Sequence, residues 1–225
     1  LDPNNPNTIY AGTGEPNASG DSEAGVGVYK STDGGDTWAL VPGTGIFFQR
    51  AIGQMALDNN GKLLVPIASS VRGVSSVTGG ASSSAATGHP LPTRGLYRCD
   101  GTTCTLLRAT NIRGSTTVAV DPTHPGVIYV NAFQEGVWRS IDNGTTWTQI
   151  KTALNNTRSD DRAEFAVTTI AGGFTRMYVG IGNGSETAAN LARLYRTDDA
   201  VTATNATFTD LTAVQEGSPV KNQTL

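Results

Sequence analysis

Two distant stretches of this chain spell nearly the same text, and a sequence that repeats itself is held to architectures built from repeated units. In one, Val118-Ala119-Val120-Asp121-Pro122 leads through Ile128-Tyr129-Val130 to Gly136-Val137-Trp138-Arg139-Ser140-Ile141-Asp142-Asn143-Gly144-Thr145-Thr146-Trp147. In the other, Leu1-Asp2-Pro3 leads through Ile9-Tyr10-Ala11 to Gly27-Val28-Tyr29-Lys30-Ser31-Thr32-Asp33-Gly34-Gly35-Asp36-Thr37-Trp38. Two weaker copies fill the gaps. One runs from Gln54-Met55-Ala56-Leu57-Asp58 through Leu63-Leu64-Val65 to Gly95-Leu96-Tyr97-Arg98-Cys99. The other runs from Phe165-Ala166-Val167-Thr168 through Met177-Tyr178-Val179-Gly180 to Leu194-Tyr195-Arg196-Thr197-Asp198-Asp199, and closes at Thr207-Phe208.

The aromatic anchors Tyr29, Tyr97, Trp138 and Tyr195 recur at intervals of 68, 41 and 57 residues. That is a unit of about 40 residues with variable insertions, the size of a four-stranded propeller blade. Each unit reads as four short strands of alternating apolar and polar residues. Asp-Pro pairs mark the turn between the first two, because proline fixes φ and has no N–H to give to a central strand. The fold expected is therefore all-β: a β-propeller of four-stranded antiparallel blades, with about four blades present. They fall at residues 1–45, 51–108, 114–151 and 163–214 of a single segment. Because Leu1-Asp2-Pro3 aligns with the end of a first strand, the segment is expected to belong to a larger ring of six to eight blades. The alternative is a closed four-bladed ring.

Ser31, Asp33, Gly35, Thr37 and Trp38, and again Ser140, Asp142, Gly144, Thr146 and Trp147, carry a Ser-x-Asp-x-Gly-x-Thr-Trp pattern. This pattern resembles the Asp box of bacterial neuraminidase repeats. Cys99 to Cys104 is a shortened relic without the tryptophan, and Thr197 to Phe208 is a copy with an insertion. The resemblance implies propellers of the sialidase, xyloglucanase and sortilin-like kind, and implies that the box is structural. The aspartate accepts backbone N–H groups in the turn between strands three and four. The glycine supplies positive φ, and the tryptophan is expected to plug the hairpin from beneath. A sialidase-type start is not matched by Phe48-Gln49-Arg50-Ala51, and no xyloglucanase catalytic-aspartate context is visible.

Bulk chemistry narrows the partners. With 16 Lys and Arg against 19 Asp and Glu, the chain lacks the excess positive charge expected of a nucleic-acid binder. No apolar run reaches the roughly 18 residues of a membrane span. Cys99 and Cys104 suit a disulfide closing a β-hairpin, or else two buried thiols, and they are too few for structural zinc. A disulfide would place the chain in an oxidising, secreted, extracellular or periplasmic setting. No metal or cofactor is implied.

Strand direction alternates in a blade, so the box turns share one end and the insertions share the other, where ligand chemistry is expected. Glu15 is a weak candidate catalytic carboxylate against the plainer role of ordering its loop. Asp21 and Glu23 are weighed as calcium ligands against a solvated loop. The insertion at 68–94 adds Arg72, His89 and Arg94, and that at 182–193 adds Glu186 and Arg193. Arg50, Arg113, Glu135 and Arg162 are the binding candidates, and Arg158, Asp160 and Asp161 read as a surface charge cluster. Glu164 is the second weak catalytic candidate, since a glycosidase needs two carboxylates about 5–10 Å apart. Phe47, Phe48 and Phe133 are candidates to stack on sugar rings, or to pack between blades. The function expected is a segment presenting loops to a glycan or protein partner, with further blades of the same parent chain beside it. The rival is a glycoside hydrolase whose active site is shared with blades outside the segment.

Overall fold

A computed structural model describes residues 1–17, 22–70, 91–110, 113–153, 161–182 and 192–212. It is all-β, with four antiparallel sheets. The first holds β1 (Ile9–Gly12), β2 (Val28–Ser31) and β3 (Ala39–Leu40) in that order. The second holds β4 (Ala51–Ile52), β6 (Leu63–Ala68), β7 (Gly95–Cys99) and β8 (Cys104–Ala109), with β5 (Ala56–Leu57) also on β6. The third runs β12 (Thr148–Thr152), β11 (Gly136–Ser140), β10 (Ile128–Ala132), β9 (Val118–Val120). The fourth runs β13 (Arg162–Thr169), β14 (Thr175–Gly182), β15 (Arg193–Thr197), β16 (Thr209–Asp210). Within each sheet the strands pair in chain order, except that β4 and β5 both pair with β6. The chain divides into two compact units, Leu1–Val120 and Asp121–Leu225.

The first unit is centred on Val28, Phe47, Ile52, Leu63, Val65, Ile67 and Tyr97, with Phe47 meeting Tyr97 edge to face at 5.0 Å. Phe47 is fully buried here, which settles it as a packing residue. The second unit buries Tyr129, Val137, Ile150, Phe165, Met177, Val179 and Ile181, and Phe133 is 2% exposed. Along β14, Met177, Val179 and Ile181 are buried while Tyr178 and Gly180 are exposed, the alternation of a strand with one covered face.

One element departs from the expectation that proline stays out of central strands. Pro66 lies inside β6, paired with Leu96 of β7. Its carbonyl accepts Gly53 N–H at 3.0 Å, so its N–H-less nitrogen also faces the first-strand side. There the first strand is broken into β4 and β5: Ile52 pairs with Ile67, and pairing resumes only at Ala56 with Leu64. The proline is tolerated because the ladder is interrupted where the donor is missing.

In the second and third sheets the aspartate that ends the first strand shapes the next turn. Asp58 accepts the N–H groups of Asn60 and Lys62, both at 2.9 Å, and pairs with Arg98 Nε at 2.8 Å. Asp121, 4% exposed, accepts Thr123 N–H and His124 N–H, both at 2.9 Å, the Tyr129 hydroxyl at 2.7 Å and the Thr175 hydroxyl at 2.9 Å. Burial alone would raise its pKa, but these donors outweigh it and hold the carboxyl at about 2. Desolvation and that same carboxylate push the Tyr129 phenol far up.

Candidate functional site

The box corners come first, because they decide which polar groups remain for a ligand. Ser31 Oγ donates to Asp33 Oδ1 at 2.7 Å and accepts Gly35 N–H at 2.9 Å. Asp33 accepts Thr37 N–H at 3.0 Å and the Thr37 hydroxyl at 2.5 Å. Ser140, Asp142, Gly144 and Thr146 repeat this clasp, at 2.7 Å for Ser140 Oγ to Asp142, 2.8 Å for Thr146 N–H and 2.6 Å for its hydroxyl. Gly35 and Gly144 adopt φ of 108° and 89°, a region closed to most side chains. The Thr37 hydroxyl, then Ser31, holds Asp33 well below the usual carboxylate range, and the Thr146 hydroxyl and N–H hold Asp142 at about 2.

The tryptophans are not plugs. Trp38 is 43% exposed and Trp147 half-buried. Each indole N–H donates to its own box carbonyl, Trp38 to Gly35 at 2.9 Å and Trp147 to Gly144 at 3.2 Å. That bond lays the ring across the rim of the turn. The other two corners use different means. In the second sheet a Cys99–Cys104 disulfide closes the hairpin, and Asp100 accepts Thr102 and Thr103 N–H at 2.9 and 2.8 Å. In the fourth, the clasping carboxylate is Asp199, which accepts Val201 N–H at 3.1 Å and the Thr202 hydroxyl at 2.6 Å. Asp198 instead pairs with Arg176 at 2.8 Å and Arg196 at 3.2 Å.

At the opposite, insertion end of the first unit, the sequence candidates do different things. The Glu15 carboxylate accepts Glu23 N–H at 3.2 Å while Glu15 N–H donates to Glu23 O at 2.9 Å, so it ties its own loop together. Arg50 is 8% exposed, and its Nε and Nη2 both donate to Pro92 O at 3.1 Å. Burial, then the neighbouring Arg94 charge, lowers its pKa to about 10. Beside this arginine pair, Tyr97 donates its hydroxyl to Thr93 O at 2.8 Å, and burial raises the phenol. A tyrosine so held is not poised as a nucleophile. Gln49 precedes Arg50 at φ 64°, is 2% exposed, and its Oε1 is buried without a partner. A strained, buried residue next to two arginines is the strongest polar constellation at this end. Sequence reading missed Gln49, since nothing in residue type announces a backbone outlier. Arg113 contributes its carbonyl to Ser69 N–H at 2.8 Å.

In the second unit, Glu135 likewise serves through its backbone, its carbonyl accepting Ala153 N–H at 3.2 Å and the Gln149 amide. Arg162 and Glu164 form an exposed pair at 3.6 Å. They border a shallow hollow of about 330 Å³ with Arg193 and Leu194, and Arg193 Nη1 bonds Asp210 at 3.2 Å. Glu15 and Glu164 fall in different compact units. Asp21, Arg72, His89, Arg158, Asp160 and Glu186 lie outside the described residues. Among the described residues no group of three His, Cys, Asp or Glu side chains is set to hold a metal, and no helix is long and apolar enough to cross a membrane.

A further opening lies at the box end. It is a cleft of about 490 Å³ in the first unit, lined by Tyr10, Lys30, Trp38 and Leu40 from one sheet and by Leu63 and Asp100 from the next.

No protein-family model matches the chain, and no curated protein matches it in sequence. Solved structures do resemble it: its sheets are blades of a β-propeller. An ancestral GH74 enzyme aligns over 95% of this chain with a TM-score of 0.57 and 16% identity. The GH74 enzyme of Niastella koreensis aligns over 93% with a TM-score of 0.55 and 22% identity. The GH74 xyloglucanase of Xanthomonas campestris aligns over 93% with a TM-score of 0.51 and 18% identity. The chain spans only 25%, 29% and 29% of those three chains. At such identity the likeness establishes the fold and leaves the chemistry to the site itself.

Proposed function

We propose that this chain is an Asp-box segment of a secreted propeller, flanked by further blades of its parent protein, that presents its insertion end to a glycan or protein ligand without itself performing catalysis. One observation carries the reading. Every carboxyl whose pKa is clearly moved among the described residues is moved down: Asp33, Asp100, Asp121, Asp142 and Asp198. A glycosidase needs one carboxyl held protonated, by burial in an apolar pocket, to serve as general acid. The described carboxylates instead clasp turns or pair with arginines. Arg94, half-buried beside the buried Arg50, contributes positive charge at the insertion end for recognition. The disulfide supports an oxidising compartment.

The rival reading is a glycoside hydrolase whose catalytic groups lie partly on other blades, and the GH74 neighbours favour it. A glycan array run beside hydrolysis of xyloglucan oligosaccharides and a fluorogenic sialoside separates the two. Saturable binding with hydrolysis at background is the expected result. Turnover abolished by Glu15→Gln or Glu164→Gln would establish the rival.

A further inference from the structure

The two units solve the same packing problem differently. In the second, the link between β15 and β16 is long, and it fills the space beside the third sheet. Ala200 and Ala203 are 0% and 2% exposed, and their carbonyls both accept Arg139 Nη1 at 3.1 Å. Asn205 Oδ1 accepts Thr152 N–H at 3.1 Å and Lys151 Nζ at 3.3 Å, fastening the segment to edge strand β12. In the first unit the corresponding link is the tight Cys99–Cys104 hairpin. Thr102 O still reaches the neighbouring sheet, lying so close to Gly43 that a Cβ there would sit 2.5 Å away. Among the described residues nothing replaces the Ala200–Ala203 stretch, and the 490 Å³ cleft is what remains.

The lining matches position for position. Tyr10 pairs with Lys30 as Tyr129 pairs with Arg139. Lys30 therefore occupies the place of the arginine that holds two backbone carbonyls, and it sits 5.5 Å over the Tyr10 ring. Trp38 and Leu40 are 43% and 42% exposed beside it, and Leu63, Cys99 and Val41 make an apolar floor. Three other polar groups at the mouth are spent. The Trp38 N–H is on Gly35 O, the Thr37 hydroxyl on Asp33, and the Asp100 carboxylate on Thr102 and Thr103.

We propose that this cleft binds a short peptide of small residues, whose backbone carbonyl accepts from Lys30 as Ala200 and Ala203 accept from Arg139. The volume lies in the range of ligand pockets, about 300–1,000 Å³. A sugar would call for several convergent polar groups aimed inward, and the cleft offers the Lys30 ammonium and the exposed Thr32 hydroxyl over an apolar floor. The site is at the box end, so it stands apart from the insertion-end reading above and can succeed or fail without it.

The test is a capped peptide with the sequence of residues 198–208, titrated into the isotope-labelled full chain and followed by amide and indole shifts. Affinity in the sub-millimolar to millimolar range is expected, because the same contacts made within one chain gain from high effective concentration. The expected result is saturable shifts at Tyr10, Lys30, Leu40 and the Trp38 indole, weakened about tenfold by Lys30→Ala, the loss of one charge-assisted bond. Thr32→Trp, at the exposed mouth, should obstruct the same shifts, and either variant suffices if the other fails to fold. Arg139→Ala should leave them unchanged. The proposal is overturned by the absence of saturation up to about 5 mM, by equal affinity in Lys30→Ala, or by shifts at these residues with cello-oligosaccharides and none with peptide.

Discussion

At the scale of single residues, the Asp and Gly of the box do the work that was read from the sequence, the tryptophan does not, and the Ser adds an acceptor that was not read. Ser140 is 1% exposed and its oxygen is the acceptor for Gly144 N–H at 2.7 Å. Ser140→Ala leaves that buried N–H unpaired, so urea unfolding should show a loss of about 1–3 kcal/mol with an unchanged m value. Acid should reach the same corners. Folded-state pKa values of about 2 for Asp121 and Asp142 lie below the unfolded carboxylate value of about 3.9. Their stabilisation is thus complete above about pH 4 and lost as pH falls through about 2. The melting temperature should decline across that window, and Asp142→Asn should flatten the decline. Why Trp38 fails as a plug is a matter of one hydrogen bond: an indole N–H committed to Gly35 O keeps the ring at the rim, in partial contact with water.

At the scale of elements, β7 and β8 are joined by a disulfide in addition to the Asp100 clasp, where their siblings rely on a carboxylate clasp alone. The bond closes a very short loop, so the chain-entropy gain is modest, about 2 kcal/mol. A Cys99→Ser, Cys104→Thr double variant should lose about that much in denaturant, and the Thr102 and Thr103 amides should exchange faster with solvent. Strand existence was legible in the short apolar runs Val118-Ala119-Val120 and Ile128-Tyr129-Val130, the second of them buried on both faces. The split of the first strand into β4 and β5 was not. It follows from which side of β6 the Pro66 nitrogen faces, and that is a matter of register, set by pairing with β7.

At the scale of the whole chain, the fourth sheet shows an exposed apolar stripe: Phe174 at 50%, Leu194 at 45% and Tyr178 at 36%. The stripe is interrupted by Arg176 and Arg196, which pair with Asp198, but Tyr178 and Leu194 still share one exposed face that a neighbour could cover. The isolated chain should therefore self-associate with rising concentration in sedimentation velocity, and Tyr178→Lys with Leu194→Lys should restore a single slow species. A stripe that leaves the chain monomeric at high concentration would argue against a missing neighbour on that face.

Two kinds of information are at work in this protein. Repetition and periodicity alone determined that short antiparallel strands would form blade-like sheets, because hairpin pairing joins residues near in sequence, and the resemblance of the Ser-x-Asp-x-Gly-x-Thr-Trp pattern implied that its aspartates would brace corners. The sites were decided by tertiary structure. That Glu15 ties its own loop, that Arg50 is buried beside Arg94, and that a cleft opens between the first two sheets but is filled by Ala200 and Ala203 between the last two, all depend on how far one link reaches across to a neighbouring sheet. Link length is visible in a sequence, but which space it fills is set by packing between residues far apart in the chain.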